Sequence, residues 1–212
     1  MRLKKNKSVI ASHNEAAWDK HAKSHCSWSQ PVSSETIDQA KKGNWKVHIT
    51  KKPLPEEWLG GDVQGKDILC LASGGGQQGP VLAAAGANVT VFDVSQGQLD
   101  QDELVAKRDN LSLKTIQGDM RSLDSIQDES FDYIIHPISN LYIPDLTDLW
   151  KESYRVLRKK GVLLASFYNP VLFVFEKNQE LSKKGLLKPK YILPYSDKKS
   201  LEEAEYEKKL KN

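Results

Sequence analysis

Cysteine is scarce in this 212-residue sequence, which contains only Cys26 and Cys70. Two cysteines provide no disulfide framework, so a reducing compartment is expected. Long apolar runs are also missing. No stretch approaches the roughly 18 residues of a membrane span, and no apolar signal-peptide segment follows the basic N-terminus. These absences predict a cytoplasmic protein without a membrane segment.

An excess of charge of one sign is missing too. The chain has 31 lysines and arginines against 28 aspartates and glutamates, a net charge of +3. Because the positive and negative charges nearly cancel, the chain attracts a polyanion only weakly, and no nucleic acid partner is expected. The lysines near both ends are interpreted as a solvated face.

Composition divides the chain into three regions. Residues 1–60 are predicted to form a helical lid, residues 61–169 an α/β core that binds the cofactor, and residues 170–212 a partly helical extension. In the extension, residues 171–176 suit a strand or a helix, and Ser200 is expected to cap a final helix. The lid region is predicted to contain four short elements. These are a helix over 14–23 capped by Asn14, a helix over 34–42 capped by Ser34, a strand over 45–50 and a helical turn at 56–59.

Strand and helix patterns alternate in the middle region, which indicates parallel strands with right-handed crossovers. The first and fourth strands are nearly continuous apolar runs, as expected when helices cover both faces. The predicted fold class is therefore α/β, with a doubly wound, mostly parallel, Rossmann-like sheet. The predicted strands are 67–71, 89–92, 113–117, 131–135 and 162–167, and the predicted helices are 79–85, 96–108 and 145–157.

The first strand leads into the glycine-rich loop ASGGGQQGP at residues 72–80. The spacing Gly74-x-Gly76-x-x-Gly79 matches the dinucleotide fingerprint, in which amides at a helix start approach a phosphate. Asp93, at the end of the second strand, has the place of the acid that binds ribose hydroxyls. These residues predict an adenosine-bearing cofactor and leave its identity open.

Three observations separate a nicotinamide dinucleotide from other adenosine cofactors. An oxidoreductase needs a catalytic domain, yet only about 45 residues follow the fifth strand. The glycines begin two residues beyond the first strand, which suits a longer loop around an amino-acid group. The sequence QGDM at 117–120 follows the third strand, and a helix ending in Arg155-Val156-Leu157 precedes Gly161 and the fifth strand.

At these motifs the chain resembles the class I S-adenosylmethionine-dependent methyltransferases, over about residues 67–167. The resemblance implies S-adenosyl-L-methionine as the cofactor and methyl transfer to a small-molecule acceptor whose acceptor atom is not readable. It also implies that the loop binds the methionine part, that Asp93 with Val94 binds the ribose, and that Asp119 with Met120 binds the adenine. The matching loop residues are Ala72, Ser73, Gly74, Gly75 and Gly76.

The sequence departs from the family pattern in two ways. Cys70 stands where the family often has an acid, and Ala72 replaces the first loop glycine, so the methionine amine is expected to find other contacts. The family's last two strands, an antiparallel pair, have no clear counterpart before Asn212, unless residues 171–175 supply a substitute. If they are missing, the fifth strand is an exposed edge, which predicts a homodimer formed through that edge.

The carboxyl ends of the strands form the expected reaction edge. His136, at the end of the fourth strand, is the candidate general base and a candidate cofactor contact, because histidine titrates near neutral pH. The alternative is a histidine bonded only to backbone. Tyr142 is a second catalytic candidate. Asn140, Tyr168 and Asn169 are candidates for orienting the substrate, with a plain loop role as the alternative.

Histidines near the N-terminus raise the question of a metal. His21 and His25 are four residues apart and can share a helix face, with His13 and Cys26 nearby. Ala22, however, stands where a zinc hydrolase has glutamate, so no metal site is predicted. The tryptophans of this region, Trp18 and Trp28, are interpreted as parts of a lid that excludes water from the cofactor, or for Trp18 as core.

Two other functions stay open on the sequence alone. An NAD(P)-dependent oxidoreductase would use the same glycine loop. A truncated, non-catalytic relative would bind the cofactor but lack a closed substrate pocket. Titration with nicotinamide and adenosyl cofactors distinguishes an oxidoreductase from a methyltransferase. A panel of methyl acceptors distinguishes a non-catalytic relative from an active methyltransferase.

Overall fold

The computed structural model of the chain describes residues 8–24, 26–176, 178–195 and 201–204. The first of two compact units ends at Phe167, and the second begins at Tyr168. The predicted lid region lies in the first unit, as does the predicted α/β core except for its last two residues. Among the described residues, no helix is both long and apolar enough to cross a membrane. Most of the final helix predicted after Ser200 lies outside the described residues.

The first unit is built on a five-stranded parallel sheet with the strand order β3-β2-β1-β4-β5. The chain runs outward from β1 to β3 and then returns to place β4 on the other side of β1. The carboxyl ends of β1 and β4 therefore flank the switch point where α/β sheets bind ligands. The predicted α/β fold is confirmed. The strands are β1 (Asp67–Leu71), β2 (Asn88–Asp93), β3 (Lys114–Gln117), β4 (Phe131–His136) and β5 (Leu157–Ala165).

Two apolar clusters, one on each face, hold the helices to the sheet. Along β1, Ile68 and Cys70 belong to one cluster and Leu69 and Leu71 to the other, and all four are fully buried. Each buried aliphatic side chain contributes about 1.5–3 kcal/mol, so β1 is a strong anchor for the loop that follows it. The helices are α1 (Val9–Lys23), α2 (Ser34–Lys41), α3 (Gln78–Ala84), α4 (Gln96–Asp109), α5 (Thr147–Val156) and, in the second unit, α6 (Gln179–Lys183).

The first two helices begin at caps other than those predicted. The α1 helix starts before Asn14, because the Ser8 side chain accepts a hydrogen bond from the backbone N–H of Ala11 at 3.1 Å. Helix α2 is capped by Ser33, while the hydroxyl of Ser34 donates to Asp109 of α4 at 2.6 Å. In both helices the observed cap is a serine that precedes the predicted one in sequence.

The predicted strand over residues 45–50 is wrong. This segment has only an isolated antiparallel bridge between His48 and Pro53. Its alternating residues Trp45, Val47 and Ile49 are nevertheless buried in the apolar cluster that contains Ile68. The alternating apolar residues therefore reflect burial of one face of the segment, which does not pair with a neighbouring strand.

Strand β5 starts five residues before the predicted start, directly after α5. Phe131 pairs with Leu157 but Tyr133 pairs with Val162, so residues 158–161 bulge out of the ladder. Within the bulge Lys160 has a left-handed φ of 68°. Because the residues of the bulge have a turn-like sequence, the first part of the strand was not predicted. The other predicted elements of the first unit agree with the structure to within two residues.

The second unit has little regular structure among its described residues. Residues 171–176 form neither an α-helix nor a sheet strand: a 3-10 turn covers Pro170–Phe173, and Phe175 makes one bridge with Pro189. The Asn169 side chain caps that turn by accepting from the N–H of Val171 at 3.0 Å. In the described part of the chain, β5 is thus an edge strand with no sixth or seventh strand beside it.

Candidate active site

The loop after β1 turns back through residues with left-handed backbone. Ala72, Gly75 and Gly76 have φ values of 50°, 126° and 75°. At Gly75 the space is also closed, since a Cβ there would lie 2.8 Å from the carbonyl oxygen of Trp28. The N–H of Ala72 donates to the Phe92 carbonyl at 2.7 Å, which continues the pairing of β1 and β2 by one residue. The loop is therefore fixed at its start and requires glycine at its turn.

Two buried acids hold successive amides of this loop. The N–H of Gly74 donates to Oδ2 of Asp93 at 3.0 Å. The N–H of Gly75 donates to Oδ2 of Asp102 at 2.9 Å. Asp93 ends β2 and Asp102 lies in α4, so these two elements hold the loop in shape.

Burial dominates the electrostatics of both acids. Asp93 is 8% exposed, and burial raises its pKa despite the N–H groups of Ser95 and Gly74 that favour the charged form. Asp102 is fully buried, and burial raises its pKa to about 7 against the opposing effect of the Gly75 N–H. Desolvation penalises the charged carboxylate, and neither acid has a salt bridge among the described residues to offset it.

Asp93 was predicted from the sequence, whereas Asp102 was not. The buried residues of α4 include the polar Gln98 and Asp102 beside Leu99 and Val105. Because two of these four side chains are polar, the apolar pattern does not mark the buried face. The available signal was the spacing, since residues 98, 102 and 105 lie on one side of a helix.

Five of the residues predicted to bind the cofactor line one small cavity of about 30 Å³. Helix α1 closes this cavity with Ala11 and Asn14. The predicted residues Ser73, Gly74, Gly75, Gly76 and His136 are not among those that line it. The five that do are Ala72, Asp93, Val94, Asp119 and Met120.

Asp119 is engaged by an arginine at the wall of this cavity. Its Oδ2 accepts from Nη2 of Arg121 at 2.6 Å, and Oδ1 accepts from the backbone N–H of Arg121 at 3.0 Å. The same guanidinium donates to the hydroxyl of Ser8, the cap of α1. Arg121 therefore links the predicted adenine end of the site to the helix that closes it.

His136 is a fully buried, neutral imidazole. Its Nδ1 lies 2.9 Å from the carbonyl oxygen of Leu71, and since a carbonyl only accepts, Nδ1 carries the proton. Burial lowers the pKa of the ring. Nε2 has no hydrogen-bond partner among the described residues, and the edge of the ring contacts Trp150 at a centroid distance of 6.0 Å. His136 thus presents one free lone pair.

Two other candidates after β4 make hydrogen bonds that involve backbone carbonyls. The amide of Asn140 is buried and donates to the carbonyl of Ser166 at 2.7 Å, which supports the loop role. The carbonyl of Tyr142 accepts from the amide of Asn14 at 2.9 Å. The ring of Tyr142 meets Trp18 edge-on at 5.5 Å, so α1 is fastened to this loop.

The described residues contain no group of three or more side chains able to hold a metal ion. His25 lies outside them. Cys26 is partly buried and contacts the hydroxyl of Ser29 at 3.3 Å. Trp28 leaves 70% of its surface exposed, although its carbonyl approaches the glycine loop.

A doubly wound sheet with a bare loop after β1 and an acid ending β2 suits the class I S-adenosylmethionine-dependent methyltransferases. The identity of the chain to a methyltransferase over 97% of its length shows that it belongs to this family, and residues 69–165 match the family model of the methyltransferase domain. The chain is 45% identical over 206 residues to the uncharacterized methyltransferase YbaJ of Bacillus subtilis, with 97% of this chain and 80% of that protein covered. The oxidoreductase alternative is therefore not favoured.

Two solved structures share the fold at low identity. Phosphoethanolamine N-methyltransferase 1 of Haemonchus contortus is 15% identical with a TM-score of 0.55, covering 77% of this chain and 33% of that chain. The [4+2]-cyclase SpnF is 20% identical with a TM-score of 0.53, covering 73% and 59%. The chain thus spans less than two thirds of either structure. Since one of them is a cyclase, the fold alone does not fix the reaction.

Proposed function

We propose that this protein binds S-adenosyl-L-methionine beside the glycine loop and transfers its methyl group to a small-molecule acceptor. One observation carries the proposal: the carboxylate that holds the Gly74 amide also lines a cavity with Asp119 and Met120. An acid at the end of β2, next to a loop that is bare of side chains, suits the ribose of an adenosyl cofactor.

The residues of the site fit such a cofactor chemically. Asp93 uses one bond to Gly74 and one to Ser95, and a carboxylate has about four acceptor positions, so ribose hydroxyls can still donate to it. We assign the ribose to Asp93 and Val94 and the adenine to Asp119 and the apolar Met120. The methionine part is assigned to residues 72–76.

When bound, the cofactor supplies a methyl group on a positively charged sulfur. The chain then has to align an acceptor with that methyl group, and orientation alone contributes on the order of 7–11 kcal/mol. A base is needed only for an acceptor that arrives protonated. We propose Nε2 of His136 for that role and Tyr142 for orienting the acceptor. Because His136 is fully buried, the acceptor has to reach it past the loop that follows β4.

Helix α1 is proposed to act as a lid. The closed cavity of about 30 Å³ is far below the roughly 300–1,000 Å³ of ligand sites, so cofactor entry requires α1 to move. Several polar contacts hold α1 down. Among them are Ser8 with Arg121, Asn14 with the Tyr142 carbonyl, and Asp19 with the N–H of Gly97 at 2.9 Å.

Asp19→Ala should loosen this lid. The substitution removes an acceptor shared by the Gly97 N–H and the Ser95 hydroxyl at the start of α4. Hydrogen exchange of the α1 amides should become about tenfold faster, the effect of losing about 1.4 kcal/mol of docking energy. Asp38→Ala, an exposed acid on α2, is the control and should leave α1 unchanged. Unchanged exchange in the Asp19 variant would contradict the proposed docking.

Asp93→Ala should weaken binding of S-adenosylhomocysteine by about 1–3 kcal/mol, because charged hydrogen bonds to the ligand are lost. Calorimetric titration at pH 7.5 measures the change. Asp100→Ala, at an exposed position of α4, controls for the loss of one negative charge. Equal affinities of wild type and Asp93→Ala would remove Asp93 from the site.

The acceptor is proposed to be a small molecule, with no nucleic acid partner. The net charge of +3 gives no strong basic field for a polyanion. A panel of oxygen, nitrogen, sulfur and carbon acceptors, scored by production of S-adenosylhomocysteine, tests transfer. Cofactor binding without turnover on any acceptor would favour the non-catalytic alternative.

Location and assembly are proposals as well. Cys26 and Cys70 are free thiols, which fits a reducing cytoplasm and is testable by cell fractionation. The open side of β5 supports pairing with a second copy, for which light scattering should give twice the chain mass of 23.9 kDa.

A further inference from the structure

We propose that Asp102 makes the glycine loop prefer the positively charged sulfonium cofactor to its neutral product, S-adenosylhomocysteine. The inference rests on the proposed function and adds a specificity-determining residue to it. Asp102 acts from behind the loop, through the backbone it holds at Gly75.

Asp102 is only half satisfied by the protein. Its side chain is fully buried, and Oδ2 accepts from the N–H of Gly75 at 2.9 Å. Oδ1 has no hydrogen-bond partner in the described part of the chain. A buried carboxylate with one bare oxygen is costly, and its field is poorly screened by water and salt. Such a group favours a cation nearby.

The surroundings of Asp102 supply no cation from the described residues. Cys70 approaches from β1, and burial together with Asp102 raises the pKa of this thiol, which keeps it neutral. Asp93 approaches from β2 and is itself an acid, with Asp19 of α1 near it. Gln98, one turn earlier on α4, has its own unpartnered acceptor Oε1. The groups near Asp102 on these elements are acids, a neutral thiol and the uncharged amide of Gln98, and the backbone N–H groups of Gly75 and Gly76 favour its charged form without supplying a cation.

Comparing the affinities for S-adenosylmethionine and S-adenosylhomocysteine separates the effect of the Asp102 charge from the effect of the loop's shape. They differ by one methyl group and one positive charge on sulfur. The hydrogen bond from Gly75 to Asp102 shapes the loop equally for both ligands. Of the two ligands only the sulfonium carries a charge on sulfur, so the charge of Asp102 favours that ligand alone, by a kilocalorie or more if the two charges lie within a few ångströms in a partly buried site. A purely structural residue would change both affinities by the same factor.

Asp102→Asn separates the two roles, because the amide oxygen can still accept from Gly75. The affinity for S-adenosylmethionine should fall about tenfold, while that for S-adenosylhomocysteine should change less than about threefold. Asp100→Asn, the same charge change on the exposed face of α4, should leave the ratio of affinities at the wild-type value. Equal losses for both ligands would overturn the inference, whereas a wild type that binds neither ligand would overturn the proposed function.

A second measurement needs no change in the loop. Because burial raises the pKa of Asp102 to about 7, wild-type preference for the sulfonium ligand should shrink as pH falls from 8.5 to 5.5. In Asp102→Asn this part of the pH dependence should disappear. The ligands' own amino groups, and Asp93, titrate in both proteins, so the difference between the two profiles isolates Asp102. Superimposable profiles would contradict the inference even if the variant binds normally.

Discussion

Replacing Gly74 with valine is expected to remove measurable cofactor binding. A Cβ at Gly74 would lie 2.8 Å from Cβ of Gln98 and 3.3 Å from Oδ2 of Asp93. The backbone carbon of Gln98 is 3.2 Å away, so α4 itself would have to move. Overpacking of this kind costs about 1–3 kcal/mol, and the displaced loop would lose its bond to Asp93 as well. We expect binding at least roughly 100-fold weaker in calorimetry.

A graded series makes this prediction specific. Gly74→Ala adds the Cβ alone and should give an intermediate loss, with circular dichroism verifying that both variants fold. In the structure, α4 and Asp93 occupy the space that a side chain at Gly74 would enter. A folded Gly74→Val protein with wild-type affinity would rule out the loop as the binding element.

The second large effect concerns the pH dependence of stability. Burial raises the pKa of Asp102 to about 7 from the ordinary value of 3.8. The folded protein therefore binds this proton more tightly than the unfolded chain does. The free energy of unfolding should fall as pH rises from about 4 to about 7, because the unfolded chain releases this proton over that range while the buried carboxyl keeps it until near pH 7. One pKa unit corresponds to 1.36 kcal/mol, so the loss is on the order of 4 kcal/mol.

Asp102→Asn should abolish that loss. Urea denaturation should find the variant more stable than wild type at pH 8 and similar to it at pH 4.5. Asp93, whose pKa is also raised, and His136, whose pKa is lowered, keep their contributions in both proteins. The difference between the two curves therefore belongs to Asp102. A variant that is less stable at pH 8 would mean that the charged bond to Gly75 outweighs desolvation.

The stability and the ligand selectivity of Asp102→Asn together show whether this carboxylate is retained for function or for structure. A substitution that raises stability and lowers selectivity for the sulfonium would show that the carboxylate is retained for function at the expense of the fold. If the carboxylate is retained for structure, its replacement would lower the stability and leave the selectivity unchanged.

The sheet was predictable because its strands are short apolar runs separated by helices, and β1 was placed without error at Asp67–Leu71. The first part of β5 was not, because a bulge interrupts the strand with charged residues and a left-handed Lys160. At residues 45–50 the error is the opposite one, because a strand was predicted where the structure has none. Their alternation is real, but it packs one face onto the core without strand pairing.

The candidate site was predictable where chain topology decides it. Asp93, Asp119 and Met120 line one cavity because the ends of β2 and β3 meet at one sheet edge. Asp102 was not predictable in this way, since its partner Gly75 is distant in sequence and its helix carries polar residues on the buried face. The catalytic roles of His136 and Tyr142 stay predictions, as neither residue lines the cavity.

The most direct test of the cradle formed by the glycine loop and Asp93 is a calorimetric titration of the wild-type protein with S-adenosylmethionine and, separately, with NADH. The account predicts saturable binding of one S-adenosylmethionine per chain and no heat of binding with NADH. Saturable binding of NADH, with none for the sulfonium cofactor, would contradict it.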